Sequence, residues 1–182
     1  MIIENKRIDG KILTWILRCP LKDDAIELSN LRIKIDGETE NLDREPGEDL
    51  LTAEDFEKII YEDSISPQNI FLVAEIEGKI VGFTRCQGSK LSRFKHKVEF
   101  GLCILKEYWG YGIGKVMIEN ILMWADITGI KKISLTVVQT NTKAIQLYNK
   151  YGFVEEGLLI NDRVHKGGNY YNTVIMAKIL EN

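Results

Sequence analysis

Residues 108–115 read Tyr-Trp-Gly-Tyr-Gly-Ile-Gly-Lys, and three glycines alternate within them, at Gly110, Gly112 and Gly114. An apolar, β-prone run over Val98–Leu105 precedes this stretch, and apolar residues at helical spacing, beginning with Ile113, follow it. The sequence therefore predicts a strand, a glycine turn and a helix in succession. Glycine lets backbone amides approach a ligand closely, and a helix N-terminus offers unpaired N–H donors. We therefore expect a phosphate or pyrophosphate to bind at this turn.

Composition narrows the class of protein. The chain has 182 residues, 45% of them hydrophobic and 28% charged, which is typical of one globular domain with a sizeable core. Its formal net charge of -3 argues against non-specific nucleic-acid binding as the main activity. No basic segment leads into a long apolar run near the start, so we expect neither a signal peptide nor a membrane span. Three widely spaced cysteines fit neither a disulfide framework nor a zinc site, and they favour reduced thiols in a cytoplasmic protein.

Hydrophobic spacing divides the chain into alternating strands and helices. Since a helix separates the strand before the glycine turn from the strand after it, these two strands should pair in parallel. The elements predicted in the first half are a strand at 11–18, a helix from Asp23 or Asp24 to Ile35, a loop at 36–50, a helix capped by Thr52, and strands Ile70–Ile76 and Lys79–Cys86 joined by Glu77-Gly78. Those in the second half are the strand at 98–105, a helix ending near Thr128, the strand Ile133–Val138, a helix at Thr142–Tyr151, and closing strands Phe153–Val164 and Tyr170–Leu180.

Two segments carry unusual charge. Residues 36–63 hold twelve Asp and Glu residues against Arg44 and Lys58. This acidic stretch is either a solvated face or a surface that attracts a cationic substrate, and the sequence leaves both interpretations open. The loop at 87–97 is basic instead and contains His96.

The glycine turn taken alone is a weak signal, because its spacing fits neither the dinucleotide fingerprint nor the NTPase phosphate loop. Two neighbouring segments sharpen it: Val-Glu-Phe-Gly-Leu at 98–102, and the pattern Asn-x-x-Ala-Ile-x-Leu-Tyr-x-x-x-Gly-Phe at 141–153. In this order the motifs closely resemble the GNAT superfamily of acyl-CoA-dependent N-acetyltransferases. The resemblance is strongest from Val98 to Phe153.

That resemblance implies an α/β fold: a mixed sheet of about seven strands flanked by four helices, with acetyl-CoA bound where two parallel strands splay apart. The family's loop motif begins with Gln or Arg, and Trp109 stands at that position here. Trp109 therefore either packs in the core or contacts the cofactor. Backbone amides and Lys115 remain to bind the pyrophosphate. The cofactor-binding residues implied are Leu102, Cys103, Ile104, Trp109, Gly110, Tyr111, Gly112, Ile113, Gly114, Lys115 and Asn141.

Two residues match catalytic positions of the family. Tyr148 corresponds to the tyrosine near the cofactor sulfur, where a neutral phenol can donate a proton to the leaving thiolate. Glu99 corresponds to a strand glutamate that takes the proton of the acceptor amine, and strand alternation places it on one face with Gly101 and Cys103. A solvent-facing strand residue is the alternative for Glu99, and His96 is an alternative base. Asn141 either hydrogen-bonds the pantetheine arm, caps the following helix, or does both.

The resemblance implies direct transfer of an acetyl group from acetyl-CoA to a primary amine, without a covalent acyl-enzyme or a metal. The acceptor is a small molecule or a protein N-terminus or lysine, and the acidic stretch favours a cationic one. A coenzyme A-binding sensor domain without activity is the first alternative, and a nucleotide-binding enzyme is the second. We expect no nucleic-acid or membrane partner, and the closing strand pair is a candidate homodimer surface.

Overall fold

A computed structural model describes residues 4–10 and 12–181, and within them one sheet of eight strands is flanked by four α-helices. The strands are β1 (Lys6–Asp9), β2 (Thr14–Arg18), β3 (Ile70–Ile76), β4 (Lys79–Gly88), β5 (Lys97–Ile104), β6 (Lys132–Val138), β7 (Val154–Val164) and β8 (Tyr170–Ile179). The helices are α1 (Ala25–Glu38), α2 (Ala53–Ile65), α3 (Ile113–Thr128) and α4 (Thr142–Lys150). The mixed α/β fold with four helices is confirmed. No helix in these two ranges is long and apolar enough to cross a membrane.

The sheet runs in the order β1-β2-β3-β4-β5-β6-β8-β7, and β5 and β6 are its parallel neighbours. Their pairing ends at Glu99 opposite Ser134. Beyond that point β5 stays paired with β4 as far as Ile104, and β6 stays paired with β8 as far as Val138. The two parallel strands therefore splay apart, as predicted, and leave a wedge-shaped opening at their carboxyl ends.

The sheet has one strand more than predicted. Lys6–Asp9 forms β1 and pairs antiparallel with β2, although its sequence Lys-Arg-Ile-Asp lacks an apolar alternation. The strand predicted at 11–18 begins at Thr14 in the structure, and Lys11 lies outside the described residues. A short polar edge strand is recruited by its partner, so its own sequence carries little signal.

The first helix also differs from the prediction. Asp24 occupies the N-cap position of α1 as predicted, but its carboxylate binds the Arg18 guanidinium at 2.6 and 2.9 Å and the Leu21 amide at 2.6 Å instead of an amide of the helix. The helix continues past Ile35 to Glu38, so the connecting loop begins at Thr39. Gly37 fits in the last turn because a Cβ there would lie only 3.3 Å from Pro46. The start of this helix is thus fixed beside an ion pair to the end of β2, and its last turn packs against Pro46.

Local signals predicted other elements well. Thr52 caps α2, accepting a hydrogen bond from the Asp55 amide at 3.3 Å and donating its own amide to the Asp55 carboxylate at 3.1 Å. Glu77 and Gly78 both have positive φ and turn β3 into β4, as a two-residue hairpin requires. The closing strands β7 and β8 pair antiparallel, and β8 lies between β6 and β7.

The helices cover opposite faces of the sheet near β5. A Cβ on Gly114 of α3 would lie 3.4 and 3.5 Å from the side chains of Leu102 and Ile104, so α3 lies close to the face of the strand to which these two residues belong. Gly101 belongs to the other face and pairs with Arg85 of β4. Arg85 binds Asp63 of α2 at 2.6 Å. We call this second side of the sheet the α2 face.

Candidate active site

The glycine turn ends in an open helix N-terminus. Gly110 and Gly112 have φ of 85° and 86°, which favours glycine, and a Cβ at either would meet nothing within 4 Å. Gly112 precedes α3, and the first helical bond runs from Val116 N–H to the Gly112 carbonyl at 3.1 Å. The amides of residues 113–115 therefore have no acceptor within the helix. Because Gly110 and Gly112 have no side chains, neither residue blocks a ligand from reaching these amides.

These amides open on a cavity of about 720 Å³, which we call the glycine-loop cleft. Tyr148 and ten of the eleven residues implied in cofactor binding line it: Leu102, Cys103, Ile104, Trp109, Gly110, Gly112, Ile113, Gly114, Lys115 and Asn141. The eleventh, Tyr111, is 42% exposed and its side chain is not part of the lining. The structure thus brings together nearly all of the predicted set.

Trp109 is not a core residue. Its side chain is 39% exposed, and its indole Nε1 donates a hydrogen bond to the Ile104 carbonyl at 2.7 Å. The indole thereby joins the glycine turn to the end of β5, on the rim of the cleft. Of the two interpretations of this position, the structure favours a place beside the ligand site.

Asn141 caps α4, because its Oδ1 accepts a hydrogen bond from the Ala144 amide at 3.3 Å. Its side chain also lines the glycine-loop cleft. The side-chain NH₂ group has no acceptor in the described part of the chain. Capping is therefore compatible with a hydrogen bond from this amide to a bound ligand.

Tyr148 lies deep in the same cleft and is 8% exposed. Its ring packs against Phe100 at 6.0 Å, edge to face, and against Phe153 at 5.8 Å between centroids. Burial raises the pKa of the phenol well above its ordinary value. The hydroxyl is therefore protonated at neutral pH, and no group in the described residues hydrogen-bonds it.

Glu99 lines a second cavity, of about 330 Å³, on the α2 face; we call it the sheet-face cavity. The β4–β5 pairing has no register shift, so Glu99, Gly101 and Cys103 do share this face. Six residues line both this cavity and the glycine-loop cleft: Asn41, Leu42, Leu102, Cys103, Asn141 and Tyr148. The two predicted catalytic side chains therefore border two adjoining cavities, and Tyr148 lines both.

The backbone of β5 offers further donors where the parallel strands have separated. The Leu105 amide donates to the Val81 carbonyl of the hairpin at 2.9 Å, while the Val98 carbonyl accepts from Ser134 of β6 at 3.2 Å. Since backbone groups alternate between the two edges of a strand, the amides of Leu102 and Ile104 point toward β6. Pairing with β6 has ended by then, so these amides face the wedge.

Two other residues with reactive side chains, Cys103 and His96, do not fit a catalytic role. Cys103 lines both cavities, but burial raises the pKa of its thiol to about 12, so the thiolate needed of a nucleophile is absent at neutral pH. His96 lies in the exposed loop before β5 and lines none of the three cavities described in this section. The structure thus gives no support to either as a catalytic group.

The acidic stretch contributes to a third cavity, of about 1100 Å³, between the α1–α2 loop and the tip of the β7–β8 hairpin; we call it the hairpin cavity. Most acidic side chains there already have partners in the chain. The ion pairs are Asp36 with Arg44 (3.2 Å), Asp43 with Arg163 (2.8 Å) and Glu45 with Lys166 (2.8 Å). Glu40 lies 3.3 Å from His165, and Glu38 accepts a hydrogen bond from the Lys106 amide at 2.7 Å. The three ion pairs compensate part of the negative charge on which a cationic acceptor was expected.

Sequence reasoning missed several lining residues. Lys143, Leu147 and Lys150 line the glycine-loop cleft and recur at spacings of four and three on α4. That spacing places the three residues on one face of a helix, so the sequence does indicate that they lie together. Arg163 and His165 border the hairpin cavity through partners far away in the chain, and no local pattern could have found them.

The comparisons with known proteins agree with this geometry. The model of the acetyltransferase (GNAT) family matches residues 37–153, more than half of the chain. The L-amino acid N-acetyltransferase AaaT of Escherichia coli K12 is 29% identical over 109 residues, 59% of this chain and 67% of that protein. Two other relatives are named spermidine N(1)-acetyltransferase (Vibrio cholerae) and ribosomal protein bS18-alanine N-acetyltransferase (Haemophilus influenzae). The matches span 53% and 64% of those two proteins.

Solved structures share the fold over most of the chain. A GNAT-family acetyltransferase from Streptococcus pneumoniae superposes with a TM-score of 0.88 at 29% identity, covering 91% of this chain and 99% of that one. The protein yncA from Salmonella typhimurium, solved with its cofactor acetyl-CoA, has a TM-score of 0.80 at 16% identity, covering 91% and 94%. On the family match and the shared fold together, the chain belongs to the GNAT family of acetyltransferases.

Proposed function

We propose that this protein, acting as a single domain, transfers the acetyl group of acetyl-CoA directly to a primary amine. The observation that carries the proposal is that two adjoining cavities share Tyr148 in their lining. The glycine-loop cleft offers anion-binding amides, the sheet-face cavity offers Glu99, and both are lined by Leu102, Cys103 and Tyr148. A cofactor and an acceptor can therefore approach one point from two sides.

The residues of the glycine-loop cleft suit a long ligand with a pyrophosphate. The amides at 113–115, the open approach over Gly110 and Gly112, and three lining lysines, Lys115, Lys143 and Lys150, all favour negative charge. The side-chain NH₂ group of Asn141 is available to hydrogen-bond the pantetheine arm of such a cofactor. Acetyl-CoA, the cofactor of the Salmonella protein with the same fold, has this chemistry and supplies the acetyl group as an activated thioester.

Tyr148 is suited to act as the acid of the reaction. Coenzyme A leaves as a thiolate, whose conjugate acid has a pKa of about 8.5 in ordinary thiols. Burial keeps the Tyr148 hydroxyl protonated, so the hydroxyl can donate a hydrogen bond or its proton to that sulfur at neutral pH. The amides of Leu102 and Ile104, directed into the wedge, can polarise the thioester carbonyl in the manner of an oxyanion hole.

Glu99 is suited to act as the base. A free alkyl amine titrates near a pH of about 10, so most of an acceptor arrives protonated and must lose a proton before it can attack. The Glu99 carboxylate lies exposed on the floor of the sheet-face cavity and can accept that proton directly or through water. Since the Cys103 thiol is not activated, the amine attacks the thioester itself in a ternary complex.

The acceptor is proposed only as a class, a primary amine of a small molecule or of a protein. The relatives are named for amino acids, spermidine and a ribosomal-protein alanine, which are all amines but of very different size. A homodimer is a further proposal, supported by exposed apolar side chains on the edge strand β7, at Val154, Leu158, Leu159, Ile160 and Val164. Light scattering after gel filtration tests that state.

The deciding experiment measures amine-dependent release of free thiol from acetyl-CoA across a panel of amines and peptides, beside acetyl-CoA binding. Turnover with an amine supports the enzyme. Tight acetyl-CoA binding without turnover on any acceptor would favour the coenzyme A-binding sensor instead. Thermal stabilisation by nucleotides but not by acetyl-CoA would favour a nucleotide-binding enzyme, because a ligand of the native state raises its apparent stability.

A further inference from the structure

Residues 88–97, from the last residue of β4 to the first of β5, are called the 88–97 loop, and no carboxylate of the described residues compensates its positive charge. It contains Lys90, Arg93, Lys95 and Lys97 and no acidic residue. Within the described chain, none of these four side chains has an ion pair with a carboxylate, and Lys97 instead lies 5.0 Å above the ring of Phe94. In a protein of net charge -3, this is a local reversal of sign.

The loop is held in place on both sides. The Gln68 side chain donates to the Lys95 carbonyl at 2.7 Å from the α2–β3 connection. The Lys131 and Lys132 amides donate to the His96 carbonyl at 2.8 and 3.1 Å from the start of β6. Leu91 and Phe94 are 65% and 43% exposed between the charged residues. The backbone of the loop is thus held in place, and its exposed cations and apolar side chains offer a surface that complements acidic partners.

This surface continues the sheet-face cavity. Gln87 pairs with Glu99, both line that cavity, and the loop is the chain that joins them. Lys97 shares the face of Glu99, Gly101 and Cys103 because the positions alternate along β5. At about 3.3 Å per residue, the floor from Cys103 to Lys97 is roughly 20 Å long, which an extended peptide of about six residues spans.

We propose that the acceptor is a peptide or protein segment with acidic residues roughly five to eight positions beyond the acetylated amine, which bind the 88–97 loop. This inference rests on the proposed function, since it names the acceptor of that same site. The amine lies at the inner end of the cavity near Tyr148, the chain passes Glu99, and its carboxylates meet Lys90, Arg93 and Lys95. The acidic wall of the neighbouring hairpin cavity offers less charge to a cationic acceptor, because four of its carboxylates already contact Arg44, Arg163, His165 and Lys166.

The test uses three peptides that are identical except at positions five to eight, which are four Glu, four Gln or four Lys. Their binding to the intact protein is measured by fluorescence anisotropy, and their acetylation by thiol release. We expect the Glu peptide to bind about tenfold more tightly than the Gln peptide and to show a lower KM at similar kcat, since exposed ion pairs each add little. Because these charges are screened, the preference should shrink to about twofold in half-molar salt.

The variant Lys90→Glu/Arg93→Glu/Lys95→Glu should lose this preference or reverse it toward the Lys peptide. A matched control, Lys22→Glu/Lys58→Glu/Lys79→Glu, changes net charge equally at exposed sites outside the loop and should keep the preference. Equal binding of the three peptides, or a preference that survives the loop variant, overturns the proposal. So does tight binding of an RNA oligomer to the loop without any preference among the peptides.

The binding arm separates this proposal from the proposed function. If the Glu peptide binds through the loop but no thiol is released with any amine, the surface is established and the acetyltransferase activity fails. If small amines are acetylated but the Glu peptide binds no better than the Gln peptide, the activity stands and the acidic acceptor is refuted.

Discussion

Removing the Tyr148 hydroxyl by Tyr148→Phe tests the assignment of the acid. The ring of the variant keeps its contacts with Phe100 and Phe153. No hydrogen bond of the described residues is lost, because none reaches that hydroxyl. We therefore expect the free energy of unfolding to change by less than about 1 kcal/mol. A general acid contributes at least about 100-fold, so kcat should fall by that factor, equivalent to about 2.7 kcal/mol of the barrier.

The assay is steady-state thiol release at saturating acetyl-CoA and acceptor, with a thermal melt and an acetyl-CoA titration on the same samples. Tyr151→Phe is the matched control. Tyr151 directly follows α4, its hydroxyl donates to Glu119 at 2.8 Å, and it lines none of the three cavities. It should keep wild-type kcat. A Tyr148→Phe enzyme with wild-type kcat and unchanged acetyl-CoA affinity would refute the role of the phenol.

The pH dependence of this position follows from its burial. The pKa of Tyr148 is raised above the ordinary 10.0, so the wild-type rate should show no loss from phenol ionisation up to pH 10. Because of the same shift, the Tyr148 phenol stays protonated to higher pH in the folded state than in the unfolded chain. Its contribution to the free energy of unfolding is therefore complete below pH 10 and is lost as the pH rises toward the pKa of the folded state.

Four further changes have defined outcomes. Glu99→Gln should lower kcat/KM about 100-fold at pH 7 and less at pH 9, where more amine is neutral, and a pH-independent loss would contradict a base; Glu155→Gln on exposed β7 is its control. Gly112→Ala should weaken acetyl-CoA binding and destabilise the fold by about 1 kcal/mol, since φ is 86° there, as read from titrations and melts. Asp63→Asn should destabilise by about 3 kcal/mol in urea unfolding, because Arg85 then loses a carboxylate that is 2% exposed; a change under 1 kcal/mol would show that the pair is dispensable. Cys103→Ser should keep kcat within about threefold in the thiol assay, and a dead but folded variant would revive covalent catalysis.

Short-range chemistry made much of the fold predictable. The Glu77-Gly78 turn and the Thr52 cap are each set by side chains within three residues, and the structure has both where the sequence places them. Two features were not predictable: that residues 6–9 form β1, and that the Asp24 carboxylate binds Arg18 instead of an amide of α1. Each depends on a partner, β2 or Arg18, that the pattern of the element itself does not reveal. Alternation along β5 did place Glu99 on the face of Cys103.

The lining of the cleft was predictable where a motif dictates backbone shape and less so elsewhere. Glycines with positive φ and a helix N-terminus follow from residues 110–114 alone. The ion pairs between the acidic stretch and the β7–β8 hairpin join segments separated by more than half of the chain, such as Asp43 and Arg163. No spacing rule relates such residues, so the compensation of this charge became visible only in three dimensions.

The segment between α1 and α2 has a consequence for how such a protein can change its preference. Three of its residues, Thr39, Asn41 and Leu42, border the glycine-loop cleft and the hairpin cavity, and two of these also border the sheet-face cavity. It starts at a helix end packed through Gly37 against Pro46, and it stops at the Thr52 cap. Insertions or deletions between these two fixed points would change the shape of all three cavities and leave the sheet unchanged. Sequence changes in this loop are therefore a route by which such a protein can come to bind different acceptors.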